Sequence, residues 1–71
     1  MATEAIAKAA KEVAAKTAEV EKQKKAVEVS RNALKSNSTE MNAFRLKQSA
    51  DKLSSLQKDA TMARNKYDRL T

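Results

Sequence analysis

Seventy-one residues leave room for one small unit and no second domain. Gly, Pro, Cys, His and Trp are absent, the aromatics are Phe44 and Tyr67 alone, and 15 basic against 9 acidic residues give a net charge of +6. A β-rich domain, which needs Gly and Pro at its turns, is therefore excluded, as are thiol catalysis and zinc or iron–sulfur centres built on Cys and His. No long apolar run is available to span a membrane or serve as a secretory signal, so a cytoplasmic protein is expected.

Nothing interrupts a helix from about residue 3 to residue 35, where Ala, Glu, Lys and Gln dominate. Thr3 is the expected N-cap, and Glu4 stands where the positive end of the helix dipole favours a carboxylate. Glu4–Lys8, Glu12–Lys16 and Glu21–Lys25 have the spacing of surface ion pairs. Larger apolar residues recur at every seventh position, Ile6, Val13, Val20, Val27 and Leu34, which is the stripe of a gently supercoiled helix lying against a neighbour. Ala9, Lys16, Gln23 and Ser30 accompany them, so the stripe is narrow and turns polar toward the middle.

Four short polar residues, Ser36-Asn37-Ser38-Thr39, then compete with the backbone for hydrogen bonds and predict a turn over 36–39. Asn37 followed by Glu40 has the form of a capping box opening a second helix over about 39–70. That helix also reads in heptads, with Leu46, Leu53, Ala60 and Tyr67 at one position and Ser49, Leu56, Ala63 and Leu70 at the other. Tyr67 is read as a packing residue with its hydroxyl at the rim. The connector length is that of an αα-hairpin. The fold class expected is all-α: residues 1–71 as one two-helix antiparallel hairpin, a short coiled coil.

Besides alanine and Met1, only fourteen sizeable apolar side chains are present, a small supply for burying a core. Self-association or a partner helix is therefore expected to complete the burial. Met41, Phe44 and Met62 lie off the seam of the second helix and are the expected partner contacts, as Val29 is in the first. Each carboxylate has a basic residue within four positions and reads as a solvated surface pair, so no catalytic, metal or cofactor-binding residue is expected, nor any small-molecule substrate. Lys22, Lys24 and Lys25 form the densest basic stretch and are the residues that would contact a polyanion if the chain bound nucleic acid. No aromatic stacking platform accompanies them.

In the second helix, Phe44-Arg45-Leu46-Lys47-Gln48 resembles the aromatic-x-aliphatic-x-Gln run of the hairpin co-chaperones of bacterial type III secretion. Chain length and layout are likewise similar to those co-chaperones and, less closely, to the needle subunits. The resemblance implies a helical hairpin that holds a secreted helical subunit before export. The function expected is thus a non-enzymatic module that docks helix to helix with a protein partner or with itself. A generic coiled-coil structural protein and a small basic nucleic-acid-binding protein are the alternatives.

Overall fold

The computed structural model describes residues 2–71 and consists of two helices, α1 over Ala2–Ser36 and α2 over Glu40–Leu70. They pack side by side as an antiparallel hairpin measuring 54 × 13 × 12 Å, close to the ~52 Å that 35 residues of α-helix span. The expected all-α hairpin is thus the fold observed. Its radius of gyration is 16.1 Å, against about 11 Å for a compact chain of this length.

The turn is tighter than the sequence suggests. Helix α1 continues through Ser36, and residues 37–39 make the connection. The N-cap of α2 is Thr39, not Asn37: Thr39 is extended (φ −103°, ψ 157°) and its Oγ1 accepts from the Asn42 amide at 3.1 Å. That geometry satisfies one of the amides a helix start leaves without a partner. The Asn37 amide instead donates to the Ala33 carbonyl at 2.9 Å, which closes the last turn of α1. The Ser38 hydroxyl donates to the Leu34 carbonyl at 3.2 Å. Asn42 then ties the two helices together, its Nδ2 donating to the Asn37 carbonyl at 2.8 Å and the Ala33 carbonyl at 3.3 Å. At the other end Thr3 lies inside α1 and not at its cap, since the helix already includes Ala2.

The buried set is small: Ala9, Val20, Val27 and Ala63. Ile6, Val13 and Leu34 of α1 are half-buried, as are Leu46, Leu53, Leu56, Ala60 and Tyr67 of α2. One register relates the helices. Ser30 meets Ser49, their hydroxyls 3.3 Å apart, and Val20 and Ala60 line one groove. Heptad geometry then sets Val13 opposite Tyr67, Val27 opposite Leu53 and Leu34 opposite Leu46. A bulky residue facing a small one, as at Val20 and Ala60, lets the backbones close up. Leu70, read from the sequence as a seam residue, is 40% exposed because its layer is open on one side.

Candidate functional site

The second set of seam positions in α1 is Ala9, Lys16, Gln23 and Ser30, each seven residues from the next. Their counterparts in α2 are Leu70, Ala63, Leu56 and Ser49. Three of these four layers are open to solvent on the same side of the hairpin. Ala9 and Leu70 line the first groove with Lys8 and Lys66. Lys16 and Ala63 line the second with Met62 and Lys66. Gln23 and Leu56 line the third with Lys22 and Lys52. The fourth layer is bridged by polar contacts: the half-buried Ser30 and Ser49 share a hydrogen bond and Gln23 Nε2 donates to the Ser49 carbonyl at 3.0 Å.

In each of these layers at least one of the two facing residues is small or long and polar: Ala9 faces Leu70, Lys16 faces Ala63 and Gln23 faces Leu56. Ala9 and Ala63 leave space, and Lys16 is half-buried, as suits a long side chain whose stem can lie along apolar surface with its charge in water. Heptad spacing sets successive grooves about 10.5 Å apart along the axis.

Charge is distributed unevenly around the hairpin. Lys8, Lys16, Lys22, Lys52 and Lys66 line the three grooves against the carboxylates Glu12, Glu19 and Asp59. Glu12 reaches across the interface to Lys66 at 4.0 Å, not along its own helix to Lys16. The groove on the opposite side, floored by Val20 and Ala60, carries one lysine and one carboxylate, Lys24 and Glu21.

The residues expected to meet a partner are exposed: Val29 at 68%, Met41 at 59%, Phe44 at 56% and Met62 at 68%. They do not form one patch. Met41 and Phe44 are neighbours near the turn, three residues apart on α2. Met62 lies about 27 Å of helix axis beyond Phe44 and borders the second groove. Phe44 is half a helical turn away from the seam residue Leu46, so it points outward from the hairpin.

Nor does the fold bring the three candidate polyanion contacts together. Lys22 lines the third groove, Lys24 lines the groove on the opposite side and lies 3.4 Å from Glu21, and Lys25 stands on the outer surface of α1 between them. Glu21 thus pairs with Lys24, not with Lys25.

Among the described residues no helix is long and apolar enough to cross a membrane, and no group of three or more Asp and Glu residues is arranged to hold a metal ion. No family model, curated protein or solved structure matches the chain. The heptad spacing of Gln23, Lys16 and Ala9 was readable from the sequence, but their role as walls of a groove was not. That role follows from the partners the antiparallel register gives them.

Proposed function

We propose that this chain is a non-enzymatic interaction module that docks helix to helix with another protein helix. The observation that carries this reading is surface area. The hairpin exposes 5633 Å², whereas a compact monomer of 7.8 kDa exposes roughly 4,400 Å². The excess, on the order of 1,200 Å², exceeds the ~800 Å² that each partner contributes to a standard interface. Exposed Val29, Met41, Phe44 and Met62 give that surface an apolar component, and Met and aromatic side chains are favoured at interface centres.

A narrower form of the reading is a co-chaperone of the type III secretion kind, which would hold a secreted helical subunit. Its support is the hairpin layout, the chain length and the run Phe44-Arg45-Leu46-Lys47-Gln48 on α2.

Thermal unfolding followed by circular dichroism tests the general reading. An unfinished hairpin melts at the low end of, or below, the ~45–65 °C range of ordinary domains. Its midpoint rises when a helical partner is added. A midpoint above about 65 °C that is independent of concentration and of added helix would contradict the proposal.

A further inference from the structure

Of the exposed surfaces, the side bearing the three grooves is organised to receive one kind of object. We infer that it is the docking track of a single acidic helix about three heptads long, which would turn the hairpin into a three-helix bundle. The inference rests on the helix-docking reading above and specifies its face and its partner.

The periodicity comes first. The grooves fall at Ala9/Leu70, Lys16/Ala63 and Gln23/Leu56, one heptad apart on both helices. A third helix presenting an apolar side chain every seventh residue would place one in each groove. Ala63, Leu56 and Leu70 supply apolar contact there, and Met62 rims the middle groove as a side chain that can adapt its shape. The number of grooves sets the length: three layers correspond to about 21 residues and ~32 Å of helix, and at the next layer the two helices instead meet through the Ser30–Ser49 hydrogen bond.

Charge then selects the occupant. Five lysines against three carboxylates line the track, and heptad geometry adds Arg69 to the same side. Glutamates flanking the apolar stripe of the incoming helix would meet Lys8, Lys22, Lys52 and Lys66. A second copy of this chain would bring the same lysines against each other, a like-charge juxtaposition that disfavours self-docking on this side. A nucleic-acid backbone would match the lysines but has no apolar side chain to set against Leu70, Ala63 and Leu56 in the three grooves.

The test uses two synthetic 21-residue peptides with leucines on the heptad stripe. One carries Glu and the other Lys at the flanking positions, so that like charges keep each peptide from pairing with itself. Binding to the intact chain is read by fluorescence anisotropy at low and high salt. The expected result is binding of the Glu peptide alone, weakened by salt.

In the double variant K22E/K52E, both positions exposed, affinity for the Glu peptide should fall about tenfold and binding of the Lys peptide should appear. Met62→Glu should also weaken the Glu peptide, and Phe44→Ala should leave it unchanged. Equal binding of both peptides, no binding of the Glu peptide, binding of duplex DNA in its place, or a dimer of the chain that blocks the peptide would each overturn the inference. If Phe44→Ala abolishes binding while K22E/K52E does not, the face is wrong although helix docking stands. If no helical peptide binds and the chain alone melts high, both readings fall.

Discussion

The two halves of the hairpin are built on the same heptad but held by different means. Around the turn, cross-helix contact is specific. Ser30 bonds Ser49, Gln23 bonds the Ser49 carbonyl, and Asn42 reaches the Ala33 carbonyl of α1 and the Asn37 carbonyl of the turn. Valine and leucine fill the intervening layers, with the buried Val27 opposite Leu53 and the half-buried Leu34 opposite Leu46. Toward the free ends the seam contains Ala9, Lys16, Ala60 and Ala63. The one cross-helix polar contact there among the described residues is the exposed Glu12–Lys66 pair at 4.0 Å. Directional hydrogen bonds fix a register, whereas small side chains and a screened ion pair only permit one. The turn half therefore sets the alignment, and the open half uses it to present the grooves.

The largest effect should come from the turn half. Leu53→Ala removes most of a half-buried side chain from the Val27 layer and should cost about 2–3 kcal/mol, read from a denaturant or thermal melt. Val13→Ala, in the open half, should cost about 1 kcal/mol or less, since fewer atoms are removed than at Leu53 and the site lies nearer the fraying free ends. Equal losses at the two positions would break the comparison.

Asn42→Ala removes both amide hydrogen bonds that close the turn and should cost about 1–2 kcal/mol. It should also broaden the distance between spin labels on the two helices, an effect that Val13→Ala would not share.

Thr39→Ala should cost about 1 kcal/mol through loss of the cap, and Asn37→Ala should cost less, because the observed cap is Thr39. The reverse order in matched melts would restore Asn37 as the start of α2. At the small end, Glu12→Gln and Lys24→Ala should each change stability by under about 0.5 kcal/mol, since both pairs are exposed surface contacts. A larger loss for Glu12→Gln would mean that the open end is held electrostatically.

What the sequence made legible was the part governed by repetition. Ile6 through Leu34 and Leu46 through Tyr67 recur every seventh residue, and the break between them contains four polar residues in a row. Those two facts are enough for two helices and a hairpin. The sequence did not distinguish Thr39 from Asn37 as the cap, because both residue types serve in that role and only backbone dihedrals choose between them. Asn42 gave no signal, since its partners lie across the turn and exist only once the chain has reversed. The grooves were hidden for a related reason. Lys16, Gln23 and Ser30 read as a seam turning polar, and only the antiparallel register shows that two of them face Ala63 and Leu56 across an open layer while Ser30 meets a hydroxyl. Phe44 and Met62, both off the seam, stand eighteen residues of helix apart, so as partner contacts they would serve separate stretches of a docked chain.

A hairpin aligned at its turn and left unfinished toward its ends should show that gradient in its backbone dynamics. Residue-resolved amide hydrogen exchange on the isolated chain measures it directly. The account predicts the strongest protection around Val27–Leu34 and Leu46–Leu53, declining steadily toward Ala9 and Ala63. Uniform protection along both helices, or a maximum at the Ala9–Ala63 end, would contradict it.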